Sequence, residues 1–373
     1  MRIIREVACK KDLQAFIDFP HGLHKGDPNY VPELFIAQRD LLTPGKHPFF
    51  KHSTIALFLL FDDNELIGRI AAIENFHHNQ VYGAKDGFFG FFDCINDLSA
   101  ARELMDAVHH WLKDRQIRKV LGPVNFSTNE VCGLLIEGFD GPPVAMMPYN
   151  PPYYLTLLEA LGFIKNVDLR AYRYTAGDYS DRSLQLVDRI KERLLRNDIT
   201  IRTINMKNFA RERDALREVY NKAWDKNMGF VPMTDEEFEY TANDLKLILD
   251  PKFCIMAEQH GKIVGFALAI PDINQILIKI KRGRLFPTGL IKLLTGKGKI
   301  DGIRIMLLGV VDGYRKMGIE ACLYGGIIKR FQEKKMKYAE ASWTLDHNDM
   351  VNRPIEDIGG KLYRKYRILE KEL

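Results

Sequence analysis

IMLLGVVDGYRKMGIEACLYGGIIKRFQEKKMKYAEASWTL, residues 305–345, reads as a strand, a tight basic loop, a helix and a second strand. Residues 305–311 form an apolar run short enough for a buried strand. Ile319, Leu323, Ile327 and Phe331 then recur every fourth residue and mark one helical face. The period changes across 312–318, where Arg315 and Gly318 precede the helix start. Such a loop gathers free backbone N–H groups, a helix dipole and a guanidinium around one point, which suits a phosphate. The same residues also fit an ordinary βαβ crossover whose glycine merely eases the turn.

At 373 residues the chain is long for one core and sufficient for two domains. Its composition, 46% hydrophobic and 28% charged, is that of a globular protein, and a net charge of +5 is too small to argue for nucleic acid. Cys9, Cys94, Cys132, Cys254 and Cys322 are odd in number, widely separated and free of CxxC spacing, so neither a disulfide framework nor a zinc site is expected. His77-His78 and His109-His110 are adjacent residues whose side chains diverge in a strand or helix, and no metal is expected there either. The first residues carry charge where a signal peptide needs an apolar core, and no stretch reaches the length of a membrane span. A cytoplasmic protein is expected, with the inner face of a membrane as a peripheral alternative.

The opening pattern occurs twice. Residues 54–61 and 66–73 read as a hairpin and 87–93 as a strand. Ala100, Leu104, Val108 and Leu112 then give a helix face, and 119–122 a strand. An offset of 219 residues sets Asp93 on Asp312, Gly90 on Gly309, Leu104 on Leu323 and Leu112 on Phe331 without a gap. Two copies of one fold are expected, though two unrelated α/β units of similar order would also fit. Residues 183–196, with Leu184, Val187, Ile190 and Leu194 on one face, read as a helix between the copies.

The run from Val310 to Ile319 resembles the donor-binding signature of the GNAT N-acyltransferases, Arg/Gln-x-x-Gly-x-Gly/Ala after a strand. The duplicated pattern resembles tandem members such as N-myristoyltransferases and Fem-type aminoacyltransferases. The resemblance implies an α/β (α+β) fold of two GNAT-like domains, each a mixed, mostly antiparallel sheet flanked by helices and splayed between its fourth and fifth strands. The expected division is 1–176 as an acceptor-side domain without a phosphate loop, 177–199 as a helical linker, and 200–373 as the acyl-CoA-binding domain. By resemblance, Val310, Val311, Arg315, Lys316, Met317, Gly318 and Ile319 hold acetyl-CoA or a longer acyl-CoA as co-substrate. Glu320 stands where the family has Gly or Ala, and its carboxylate would repel the pyrophosphate. The first copy has Asn96 and Ser99 at the places of Arg315 and Gly318, so one donor site per chain is expected.

A primary amine must lose a proton before it attacks a thioester, which calls for a carboxylate. Glu340 is the first candidate and Asp312 the second, although Glu340 equally suits an exposed strand position or an ion pair. Asn348 matches the Asn of the family's next motif, and it also suits a helix N-cap. The usual general-acid Tyr of that motif is Ile355 here, leaving Tyr363, Asp312, His347 or solvent to protonate the thiolate.

Residues 122–154 form a long connection rich in Gly, Pro and Asn but also in Phe, Leu, Met and Tyr, which reads as a folded flap beside the acceptor. Asn125, Ser127, Asn129 and Glu130 are its candidate acceptor ligands, and local loop bonds are the commoner use of such residues. Residues 273–300 contain no Asp or Glu and carry Lys279, Lys281, Arg282, Arg284, Lys292, Lys297 and Lys299 among Ile, Leu and Phe. That composition suits an anionic membrane surface or a solvated hairpin extension that attracts phosphates. The leading expectation is N-acyl transfer from a coenzyme A thioester to a primary amine, small or lipid. The alternatives are a long-chain, ceramide-synthase-like enzyme at a membrane surface and a catalytically degenerate ligand-binding protein.

Overall fold

The computed structural model describes residues 1–177, 181–224 and 229–373, apart from the side chains of 181–183. The first copy runs β1 (Arg2–Glu6), α1 (Lys10–Leu23), α2 (Phe35–Leu41), β2 (Ser53–Asp62), β3 (Glu65–Asn75), α3 (Phe76–Tyr82), β4 (Asp86–Cys94), α4 (Leu98–Lys113), β5 (Lys119–Gly122), β6 (Leu134–Glu137), α5 (Tyr153–Ala160) and β7 (Ile164–Thr175). The second runs α6 (Asp181–Leu195), β8 (Ile199–Thr203), α7 (Phe209–Ala223), α8 (Asp235–Lys246), β9 (Cys254–Gln259), β10 (Lys262–Pro271), α9 (Asn274–Leu277) and α10 (Gly289–Gly296). It continues with β11 (Gly302–Val310), α11 (Ile319–Glu333), β12 (Tyr338–Leu345), α12 (Asp349–Asp357) and β13 (Lys361–Glu372).

The copies share one strand order, β1-β2-β3-β4-β5 in the first and β8-β9-β10-β11-β12 in the second. Neighbours are antiparallel except the final pair of each, which is parallel. Both parallel pairs are short. β11 meets β12 only over Gly302–Ile305 against Tyr338–Ala341, yet β11 runs on to Val310 and β12 to Leu345. β4 likewise meets β5 over three positions, Asp86 to Phe88, before running on to Cys94. Each copy thus contributes a mixed, mostly antiparallel run of five strands with helices, opening between its fourth and fifth strands.

The helical periodicities bury what they were expected to bury. Ile319, Leu323, Ile327 and Phe331 are at most 4% exposed in one core, and Leu104, Val108 and Leu112 are fully buried in the other. Each such side chain contributes roughly 1.5–3 kcal/mol of transfer free energy.

Packing divides the chain into two compact units, Met1–Arg170 with Asn274–Lys297 and Arg364–Leu373, and Ala171–Ile273 with Gly298–Tyr363. This differs from the linear division at 176 and 200 for two reasons. The end of β13 belongs to the first unit, where Leu369 and Glu370 pair with Gly122 and Leu121 of β5. In addition, the basic segment Asn274–Lys297 leaves the second unit between β10 and β11 and packs in the first. Arg284 there donates to both oxygens of Asp18 at 2.9 and 2.7 Å and lies 3.4 Å from the Phe35 ring centroid. The segment forms helices α9 and α10, not the hairpin extension that was one expectation for it. The expected interdomain helix is α6, which is part of the second unit; residues 178–180 of that linker lie outside the described residues.

Candidate active site

The phosphate-loop candidates lie in the second unit, between β11 and α11. Gly318 is the N-cap of α11 and adopts φ +91°, a left-handed conformation that favours glycine. The N–H of Tyr314 bonds the Val311 carbonyl and that of Cys322 bonds Gly318. Among the described residues, the amides of Lys316, Met317 and Gly318 have no protein partner. Unpaired amides at the start of a 15-residue helix are the donor set an anion needs, so the loop fits a phosphate group.

Arg315 is partly occupied with holding the loop. Its Nε donates to the Val310 carbonyl at 3.2 Å, one terminal nitrogen donates to Ala223 at 3.2 Å, and the other lies 3.2 Å from Asp312. Asp312 is about half exposed and pairs with Arg315, which makes it a loop partner as well as a candidate base. A residue the sequence reading did not single out also reaches the loop: Arg193 of α6 donates to the Met317 carbonyl at 2.8 Å. Val310 and Ile319 are buried beneath the loop, whereas Lys316 is exposed. Val311 donates its N–H to Val264, tying the loop's start to β10.

Glu340 is neither an exposed strand residue nor a simple surface ion pair: it is fully buried on β12. Ser342 Oγ donates to its Oε1 at 2.5 Å and the Tyr363 hydroxyl donates to its Oε2. Arg304 of β11, 5% exposed, stands opposite Glu340 in register and donates through Nε to Ser342 Oγ at 3.0 Å. The pair register ends one residue later, at Ile305 and Ala341, so this network sits at the mouth of the opening between β11 and β12. Tyr363 is only half-buried and brings a phenol to the carboxylate from β13. The sequence points to Glu340 and Tyr363 separately. The clue to the wider network was a charged residue, Arg304, inside an otherwise apolar strand.

Asn348 occupies the N-cap position of α12, but its side chain does not cap that helix. The polar ties there come from Asn352, which donates to the carbonyls of Leu345 and Asp346 and accepts from Thr344. Ile355, at the place of the family tyrosine, is buried in the core. In the first unit, Asn125 Oδ1 accepts from the Phe91 amide at 2.8 Å, Ser127 Oγ accepts from Asn129 N at 3.2 Å, and Glu130 lies 3.9 Å from His47. These are loop-holding bonds. The connection itself is folded: Val124 bridges Cys132, and Asn150 pairs with both backbone groups of Leu135.

No model of a known protein family matches the sequence. It is 35% identical over 380 residues to Protein YghO of Escherichia coli, covering 100% of this chain and 95% of that protein. It is 32% identical over 375 residues to the bacterial ceramide synthase of Caulobacter vibrioides, covering 98% and 96%. Among solved structures, a tandem GNAT protein of the clavulanic acid biosynthesis pathway superposes over 100% of this chain and 98% of its own, with a TM-score of 0.59 at 9% identity. A GNAT N-acetyltransferase of Sphaerobacter thermophilus covers 100% and 95%, with a TM-score of 0.56 at 14% identity.

The chain belongs to one family with Protein YghO and the bacterial ceramide synthase, and its fold is that of the tandem GNAT proteins. Within this GNAT chain the amide-lined loop and the Glu340–Tyr363 pair occupy the second copy, at the two ends of β11's unpaired half. Val310 lies six residues beyond Arg304, which at strand rise is about 20 Å.

Proposed function

We propose that this protein transfers an acyl group from a coenzyme A thioester to a primary amine by direct attack. The observation that carries the reading is the pairing of an anion-ready loop with a buried carboxylate–phenol pair on the same splayed strands. Lys316, Met317 and Gly318 would hold the pyrophosphate through backbone amides, with Arg315 and Arg193 supplying positive charge. Glu340 is too buried to meet the amine itself. The half-buried Tyr363 oxygen accepts the proton that the attacking amine loses while its own hydroxyl proton moves to Glu340. The new N–C bond forms as the C–S bond breaks, and the same pair returns the proton to the departing thiolate, so the protein ends in its starting state. Arg304, through Ser342, holds Glu340 in its orientation.

A second reading keeps this chemistry and makes the amine a long-chain lipid amine at a membrane surface. Two observations favour it: the name of the Caulobacter relative, and the exposure of Phe286, Ile291 and Leu294 (62–77%) in a segment without acidic residues. In either case Asn125, Ser127, Asn129 and Glu130 shape the flap on the acceptor's side.

Glu340→Gln and Tyr363→Phe test the transfer reading with an acyl-CoA and a panel of amines. Each should lower kcat by about 10²–10⁴-fold, the usual size of a general acid–base contribution, with donor affinity unchanged. Full turnover in both variants rejects the proton path. Failure of the wild-type protein to bind coenzyme A rejects the donor, and binding without turnover of any amine supports the degenerate-protein alternative.

A further inference from the structure

The first unit contains a cavity of about 730 Å³ lined by α1, the loop that follows it and the basic segment, and none of its lining residues has a role in the transfer reading. Its walls are mainly carbon, from Ala15, Phe19, Pro32 and Leu66, and its volume lies in the range of small-molecule sites. Behind one wall, formed in part by His24 and Tyr30, lies a network of buried polar groups. Arg69 pairs with Asp93 at 2.7 Å, His24 Nε2 faces Asp93 Oδ1 at 3.5 Å, and the Tyr30 ring stacks on His24 at 4.7 Å.

The remaining member of the wall, His21, is incompletely satisfied. Its Nδ1 lies 2.9 Å from the Tyr30 hydroxyl, and its Nε2 is buried with no hydrogen-bond partner. Burial pushes the His21 imidazolium down to about 4 and pushes the Tyr30 phenol up, so the pair is neutral near pH 7. If Nδ1–H donated to Tyr30, both the phenolic hydrogen and the Nε2 lone pair would go unmatched. With Tyr30 donating, a single group is left over, an Nε2–H donor seeking an oxygen. The charges around the cavity point the same way. Asp18 is neutralised by Arg284 and Arg282, and Asp27 accepts from Tyr149 and from the Asn29 amide. Lys25 and Lys281, both exposed, have no ion-pair partner among the described residues.

We infer that this cavity binds a single-chain anionic amphiphile, its apolar chain against Ala15, Phe19 and Leu66 and its carboxylate or phosphate near Lys25, Lys281 and His21. The site stands on the first unit alone and is independent of the transfer reading. Calorimetric titration of the full chain with dodecanoate, dodecyl phosphate, dodecylamine and dodecanol, below micelle formation, tests it. One or both anions should bind with unit stoichiometry, at least about tenfold more tightly than the amine or the alcohol, and their order identifies the head group. Gly22→Trp is a blocking variant, because a side-chain carbon at Gly22 meets no atom within 4 Å. It should weaken anion binding at least about tenfold without lowering the melting temperature. Lys25→Glu with Lys281→Glu, at exposed positions, should do the same for the anions and spare dodecanol. Dodecylamine binding as tightly as the anions overturns the inference, as does unchanged anion affinity in the double Glu variant, even where Gly22→Trp fails to fold.

Discussion

Arg315 shows how one side chain can serve two tasks that an experiment must separate. Its bonds to the Val310 and Ala223 carbonyls tie the loop to β11 and the end of α7, while its partly exposed guanidinium remains near the unpaired amides. Arg315→Ala should lower stability by about 1 kcal/mol per lost neutral-acceptor bond and weaken coenzyme A by a further 1.5–3 kcal/mol, roughly 10–100-fold, if it also meets phosphate. A melting curve beside a calorimetric titration divides the two effects; lost stability with unchanged affinity assigns Arg315 to the loop alone. Glu320, in the first turn of α11, should behave in the opposite sense. An acid near a helix N-terminus stabilises it by about 0.3–1 kcal/mol, and glycine within a helix costs about as much again. Glu320→Gly should therefore melt lower yet bind coenzyme A more tightly, and weaker binding would give the carboxylate a constructive role. At this scale the sequence was readable where a residue type is constrained by backbone geometry, as at Gly318 with its positive φ. It was not readable where contacts come from distant elements: Arg193 reaches the loop from 124 residues away, and nothing in its neighbours signals that.

Elements were more legible than residues because burial imposes period. The α11 and α4 faces, the β2–β3 hairpin and the strands β5 and β12 all follow from spacing of apolar residues. β1, α3 and β6 did not stand out, since elements of only four to seven residues carry little period. The exchange of β13 into the first unit was also hidden, because strand pairing over a long sequence interval leaves no local mark. Gly309 provides a test at this scale. It lies in β11 of the second copy as Gly90 does in β4 of the first, and in both the missing side chain admits a close neighbour. A carbon added at Gly309 would come within 2.4 Å of the Trp224 ring, and one at Gly90 within 2.3 Å of the Val124 carbonyl. Gly309→Ala should force α7 away from β11 and destabilise the fold by about 1–3 kcal/mol, the usual cost of overpacking. Urea denaturation measures it, and an unchanged midpoint would mean that Trp224 moves aside freely. Donor affinity should fall along with stability, because Arg315 is tied to Ala223 beside that tryptophan.

For the molecule as a whole, the lipid reading turns on how the basic segment is presented. Among the described residues no helix is long and apolar enough to cross a membrane. The segment is fixed to the first unit by Arg284 on Asp18, by the left-handed Gly283 against the Glu33 carbonyl, and by Asn274 on the Pro143 carbonyl. Anchored this way, α10 leaves Ile291 and Leu294, three residues apart on one side, exposed together with Phe286, while Lys279, Lys281, Arg282 and Lys292 are also exposed. Each cation near an anionic surface is worth about 1 kcal/mol, and burying the three apolar side chains would add to that. The full chain should float with vesicles containing anionic phospholipid at low salt. Binding should fade as salt rises past physiological strength, where charges are screened over about 8 Å. Replacing Phe286, Ile291 and Leu294 with Ser should reduce flotation at every salt concentration, whereas Lys279→Glu with Lys292→Glu should reduce it mainly at low salt. If the apolar triple variant floats as well as the wild type, attraction is electrostatic alone and no part of α10 enters lipid. If neither change matters, the segment serves the fold of the first unit, and the acceptor amine is to be sought among soluble molecules.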